Sequence, residues 1–325
     1  GLFLMARLWP VLSGTDAWFV IVSTTGLVTM VLGATIALFK DDLKALLAFS
    51  TVSHLGLITM LLGFGTPFAA VAAVFHIINH ATFKAALFMG AGIVDHEAHT
   101  RDIKRLGGLR HLMPITFVIA LLASLSMAGI PFLNGFLSKE MMLEEVVRTR
   151  LGIPLLLPLV VLGAAALSAA YSFRYVGHVF FGDEREDYPH KPHDPGVGLW
   201  GPPAFLSALV VLIGLFPAAI AGPLVAASGG AVTGGHLPYY SLRIWHGFSL
   251  ALFMSVLAVI GGLILLLFHY PLDKRWRALR RPEAKAMFDA VIAVCVAASR
   301  RITEVLHSGS MTRYTAFFEI TILVA

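Results

Sequence analysis

The sequence predicts an all-α polytopic membrane protein with one broken transmembrane helix, and three observations carry that expectation. Of the 325 residues, 58% are hydrophobic and only 13% are charged, and the mean hydropathy is +0.82. A soluble domain of this size does not carry so much apolar surface. Apolar runs of about 20 residues recur along the chain without the alternation of barrel strands, as membrane-spanning helices require. One run, Pro114 to Val147, is about 34 residues long, too long for one straight span and short for two. It carries Gly129-Ile130-Pro131 and then Asn134-Gly135 at its middle. Proline removes a backbone donor and clashes with the preceding turn, so this run reads as one span broken in its middle. Transporters tolerate such breaks where they line a cavity.

The elements follow in order. Residues 1–9 read as the tail of a span, and Trp18 to Phe39 as the first complete one. Leu43 to Phe64 is the next, carrying Lys44 and His54, and Pro67 to Val94 the third. A polar connection, Asp95 to His111, leads into the broken run. Leu155 to Phe181 is a span with Arg174 and His178 towards its end. A polar loop rich in Pro, His and Asp, from Gly182 to Leu199, precedes a span from Trp200 to Ala227. Ser228 to His236 reads as a Gly-rich loop, and Phe248 to Phe268 as the last complete span. After a basic segment (Lys274, Arg275, Arg277, Arg280, Arg281), Glu283 to His307 has helical periodicity, with Phe288, Val291, Ile292, Cys295, Ile302, Val305 and Leu306 on one side. That pattern suits an interfacial helix.

Charge placement supports the single broken span. Counted so, one side of the membrane holds nearly all the loop Lys and Arg, including Lys40, Lys44, Arg101, Lys104, Arg105, Arg110, Arg174, Arg185 and the basic segment. The other side holds Arg7, Arg148, Arg150 and Arg243. Two spans there would divide the charges almost evenly, so the basic side is expected to be cytoplasmic. The tryptophans, Trp9, Trp18, Trp200, Trp245 and Trp276, fall at predicted span ends, as in an aromatic belt. The net charge of +5 lies at membrane edges and does not argue for nucleic acid as a partner. The single cysteine, Cys295, excludes an internal disulfide framework. No signal-peptide pattern is present at the start, and both ends fall within apolar runs, so the chain reads as a piece of a longer protein. Three regions are expected: a transmembrane domain over 1–270, a basic interfacial helix over 271–310, and the start of a further span over 311–325.

The chemistry concentrates in Phe75-His-Ile-Ile-Asn-His-Ala-Thr-Phe-Lys84. Each step of four residues on a helix turns the side chain by roughly 40° and rises about 6 Å. His76, His80 and Lys84 then form a ladder about 12 Å long on one side of a span. Ionisable groups at membrane depth are costly and usually face a bundle interior or a wet cavity. One reading is a proton relay, because histidine titrates near neutrality and can both take and give a proton, with Lys84 as its switch. The other reading is hydrogen-bonded core histidines and a snorkelling lysine. The His-x-x-x-His spacing also suits a metal, but Ile77 stands where a zinc protease has glutamate, so no metal is expected.

Further along, Lys139 lies just past the break beside Glu140, either as a proton acceptor and exit or as an ion pair anchoring the break. Lys44, after Asp41-Asp42, is an interface anchor or a relay member. His54 lies about 15 Å deeper on the same helix. Arg174 and His178 read as interface anchors, and His190, His193 and Asp194 as solvated loop residues. The Gly229–Gly235 segment lacks the Lys-Ser/Thr of a phosphate loop, and no cofactor signature is present.

Four segments together resemble a known family: Asp42-Leu-Lys-Ala-Leu-Leu-Ala-Phe-Ser-Thr-Val-Ser-His54, Phe75 to Phe88, Gly107-Gly-Leu109 and Gly135-Phe-Leu-Ser-Lys139-Glu140. These are similar to the antiporter-like subunits, the pumping membrane subunits of respiratory complex I and the large subunits of Mrp-type cation/proton antiporters. Gly92 to Ile103 and Leu137 to Glu144 look most like the Mrp A subunit. The resemblance implies two inverted five-helix repeats, each with a broken helix, of which this chain would hold the second. It places the proton path on Lys44, His76, His80, Lys84 and Lys139. With the neighbouring His54 and Glu140, these are the expected site residues. The glutamate–lysine pair at which the first repeat takes up protons would be absent here.

The expected function is a proton-translocating subunit of a multisubunit Na⁺ or K⁺/proton antiporter, multi-pass in the inner (plasma) membrane. Its partners would be the other membrane subunits, H⁺, the cation and the lipid bilayer. The alternatives are a membrane component of a redox-driven pump and a non-transporting membrane scaffold.

Overall fold

The computed structural model describes residues 1–149, 155–185, 188, 190–245, 247–279, 284–307 and 309–324. The expectations for Arg150, Arg280, Arg281 and Glu283 lie outside those residues, as does that for the Leu306 side chain. The described chain is helical and falls into two compact units, Gly1–Leu272 and Asp273–Ala325.

The first unit begins with α1 (Leu2–Leu12) and α2 (Asp16–Leu38). Thr15 caps α2 by accepting from Trp18 N–H at 3.2 Å. Next comes α3 (Leu43–Gly63), capped by Asp42, which accepts from Ala45 N–H at 2.8 Å. The long α4 (Pro67–Ala98) has Thr66 as its cap and Pro67 in its first turn, where a missing N–H costs nothing. It ends at left-handed His99. After a short α5 (Leu109–Leu112), α6 (Pro114–Ala128) and α7 (Asn134–Arg148) are the two halves of the broken run. Then follow α8 (Leu156–Phe180), α9 (Val197–Leu215), the short α10 (Pro217–Ile220), α11 (Gly222–Val232), α12 (Leu250–Leu267) and α13 (His269–Ala278), whose residues from Asp273 on belong to the second unit. Among the described residues, α2, α3, α4, α8, α9 and α12 are each long and apolar enough to cross a membrane. The chain is an all-α polytopic membrane protein.

Glycines set the closest approach. On α2, a Cβ at Gly26 would lie 2.3 Å from Met60 N; on α3, one at Gly56 would lie 2.4 Å from Met30 N. The two backbones touch there, and small residues are what permits it in a membrane. This contact fixes α3 against α2 and leaves the opposite face of α3 to α4.

The structure corrects several expectations. The span expected from Trp200 to Ala227 ends at Leu215. Pro217 cannot continue the hydrogen-bond ladder and pushes Phe216 out of helical geometry (φ −129°, ψ 55°). The expected Gly-rich loop is largely helix, since α11 runs to Val232 before Gly234 and Gly235 turn at positive φ. Trp9 and Trp18 lie near helix ends, as expected, and are packed into the protein, where Trp18 Nε1 donates to Leu62 O at 3.0 Å. Asp194 stays in its loop, half-buried, but has a structural role as well. It caps α6, accepting from Ile115 N–H at 2.8 Å, Thr116 N–H at 2.9 Å and the Thr116 hydroxyl at 2.7 Å. Arg174 is no interface anchor. It is 1% exposed and donates to Leu38 O, Lys40 O and Asp41, clasping the α2–α3 turn from α8. The turn leaves carbonyls without helical partners, and a guanidinium satisfies several at once.

In the second unit, α14 (Ala284–Leu306) and α15 (Met311–Val324) expose nearly all their described side chains, including Phe288, Val291, Ile292 and Ile302.

Candidate functional site

The ladder sits on the middle of α4, where apolar runs on either side hold the helix in the core. His76 is fully buried and Lys84 is 4% exposed; His80 is half-buried. α3 runs antiparallel beside it and contributes two residues one turn apart, Ser50 and His54. Lys84 Nζ donates to Ser50 Oγ and lies 3.4 Å from Leu47 O. One turn on, His54 enters between the α4 imidazoles. Its Nδ1 is 2.9 Å from His76 Nε2, with the rings stacked. The His54 ring centroid lies 5.2 Å from that of His76 and 5.3 Å from that of His80, while His76 and His80 are 6.3 Å apart. The row expected on one helix is therefore shared by two, with His54 as its centre. Phe83 places its ring against all three imidazoles.

His76 Nδ1 in turn lies 2.9 Å from Ser138 Oγ, which is also 3.3 Å from Gly135 O. The chain His54–His76–Ser138 thus runs from α3 through α4 to α7. Among the described residues, His54 Nε2 and His80 Nε2 are buried with no partner.

The break is held onto α4 by a network that the sequence motifs do not single out. Asn134 accepts from the Ser126 hydroxyl at 2.6 Å and donates to Thr82 Oγ1 at 2.8 Å. Its carbonyl accepts from Asn79 Nδ2 at 2.9 Å. Gly135 N–H donates to Ser126 Oγ, and a Cβ at Gly135 would meet Ser126 O at 2.0 Å. The available signal was helical phase: Asn79 and Thr82 lie between the ladder residues and so face a different neighbour.

Lys139 lies in the second turn of α7. Its Nζ donates to Met127 O and to Ser168 Oγ, 3.3 Å away. Met127 is in the last turn of α6, whose carbonyls lack helical partners and carry the negative end of the helix dipole. The break therefore makes the cation site that Lys139 fills. Gly129 ends α6 at φ 89°, and a Cβ there would press on Lys139 Cδ at 3.0 Å. Among the described residues Lys139 makes no ion pair with Glu140. Glu140 faces another way, 3.4 Å from Ser249 Oγ, on a cavity of about 350 Å³ also lined by Glu144, Tyr240, Arg243 and Ser249. A second cavity of about 20 Å³ lies between Ser53, His54, Lys139 and Ser168. That is room for one water.

Lys44 stands apart. It is 42% exposed and pairs with Asp95 at 2.6 Å, near the end of α4. Around it, Asp41 takes Lys104 at 2.9 Å, Asp42 takes Arg101, and the two connections pair through Leu43 N–H to Arg101 O and Ile103 N–H to Asp41 O. Five of the expected residues, His54, His76, His80, Lys84 and Lys139, thus lie at the α3–α4–α7 core, Glu140 faces a separate cavity, and Lys44 lies in a charged cluster near the end of α4. No group of three or more His, Cys, Asp or Glu is placed to hold a metal among the described residues.

The chain is similar to known proteins over most of its length. It is 52% identical, over 81% of its own length and 26% of the relative's, to a probable K(+)/H(+) antiporter A/B subunit of Rhizobium meliloti (strain 1021). It is 36% identical, over its full length and 44% of the relative's, to the Na(+)/H(+) antiporter A subunit of Alkalihalophilus pseudofirmus. It thus spans less than half the length of these relatives. The structure of an Mrp complex from Dietzia sp. DQ12-45-1b contains a chain of similar fold (TM-score 0.85, 33% identity), covering 99% of this chain and 35% of that one. The family described as "NADH:quinone oxidoreductase/Mrp antiporter, TM" matches residues 1–165, just over half of the chain, and the chain belongs to that family.

Proposed function

We propose that the chain is part of a proton-translocating membrane subunit of a multisubunit monovalent cation/proton antiporter, with sodium or potassium as the cation. The observation that carries this reading is the buried row itself. Lys84–Ser50, His80, His54–His76 and Ser138 succeed one another by single turns or direct contacts, and His54 shares a small cavity with Lys139 at the helix break. A membrane protein keeps so many buried titratable groups in sequence only where they do something. Lys44 and Asp95 would guard the cytoplasmic mouth. Glu140, on its own cavity, would lead to the other side. The relatives named as antiporter subunits support the same reading. The partners would be the remaining membrane subunits of the complex, in the inner (plasma) membrane. The role is that of a transporter component and not of an enzyme. Residues 1–270 would form the transport domain, the second inverted repeat of the whole protein, 271–310 an interfacial helix and 311–325 the start of a further span.

The test is proton flux driven by a sodium or potassium gradient in vesicles carrying the full complex, with no respiratory substrate. Lys84→Ala is expected to abolish flux while the complex still assembles; wild-type flux in that variant removes Lys84 from the path. A redox-driven pump is the second reading, because the family also includes NADH:quinone oxidoreductases. It predicts no cation-driven flux and proton pumping once an electron donor is added.

A further inference from the structure

Lys139 is held from a helix that carries none of the four motifs by which the sequence resembles its family. Ser168 lies on α8, beyond the residues that the family match covers. Its hydroxyl accepts from Lys139 Nζ at 3.3 Å and lies 3.0 Å from the Tyr171 hydroxyl, one turn further on. Tyr171 is fully buried.

Ser168 gives its one proton to the Tyr171 hydroxyl, which leaves a Ser168 lone pair for Lys139. Tyr171 thereby turns the Ser168 oxygen towards the Lys139 amine. That amine borders the cavity of about 20 Å³ that His54 also lines.

We propose that Ser168 and Tyr171 are positioning residues, fixing the Lys139 ammonium at the cavity it shares with His54. The proposal rests on the proton-path reading of Lys139. It predicts that Tyr171→Phe, which removes only the hydroxyl, disturbs transport although that hydroxyl meets Ser168 rather than Lys139 itself.

The experiment uses the full complex in vesicles, measuring cation-driven proton flux from pH 6 to pH 9 alongside recovery of assembled complex. A hydrogen bond to a charged group is worth enough to change a rate about tenfold and a titration midpoint by about one pH unit. Ser168→Ala and Tyr171→Phe are expected to lower flux about tenfold and to displace the midpoint of its pH profile by about one unit. Ser168→Thr, which keeps the hydroxyl, is expected to restore both. Flux and pH profile unchanged in both assembled variants overturn the proposal. So does lowered flux with an unmoved pH profile and no rescue by threonine, which is the signature of a packing defect. Lys139→Ala is the separate control: wild-type flux in that variant removes the proton-path reading itself.

Discussion

Arg174 shows how much one side chain can decide. It reaches from α8 to two carbonyls of the α2–α3 turn and to Asp41, and Asp41 also holds Lys104. Arg174→Leu leaves those acceptors buried without their donor, a loss of about 3 kcal/mol or more. The expected outcome is a lower unfolding temperature and lower recovery of the purified complex, with Arg174→Lys intermediate because lysine cannot reproduce the planar fork. From sequence alone, an arginine near the end of a span reads as an anchor. Nothing local distinguishes it from a clasp, because its partners lie more than 130 residues away along the chain. Lys84 is different. Its distance from either end of a long apolar run marks it as buried before any contact is known.

At the scale of elements, the broken helix depends on residues outside it. Gly129 and Asn134-Gly135 end one half and start the other, and those signals are local. The start of α6 is not local: Asp194, from the loop before α9, supplies the cap for the exposed N–H groups. Asp194→Ala is expected to destabilise the first unit by about 1–2 kcal/mol. Asp194→Asn, which keeps an acceptor, is expected to lose less, and thermal unfolding of the complex would show the difference. A wild-type melting temperature in Asp194→Ala would mean that α6 finds another partner for those donors. The neighbouring elements explain why the span after Gly182 is shorter than its hydropathy suggests. Apolar character continues smoothly from Trp200 to Ala227, whereas Pro217 and Pro223 interrupt the backbone without altering it.

Over the whole of the first unit, the basic connections gather at one end. Asp41, Asp42, Arg101 and Lys104 pair with one another there, Arg185 reaches Lys104 O, and Gly108 N–H bonds to Phe181 O. The connection between α1 and α2 belongs to the other end, where a Cβ at Gly65 would meet Ser13 O. With Cys295 replaced by serine, a cysteine placed at Arg185 is expected to react with an impermeant maleimide from the cytoplasmic side only. One at Gly14 is expected to react from the opposite side only. Labelling of both from one side would overturn the single broken span on which the orientation rests.

The amino-acid sequence by itself determined the all-α membrane class, most span positions, the break, and the identity of the titratable residues. Apolar run length and the rarity of charge within it are properties of contiguous chain, and the bilayer imposes them directly. Only the tertiary structure decided that His54 and not His80 bonds to His76, that Asn79 and Thr82 hold the break, and that Lys139 turns to Met127 O and Ser168 rather than to Glu140. Those facts depend on which faces of separate helices meet. Small residues such as Gly26, Gly56 and Gly129 decide that by how closely they let their neighbours approach.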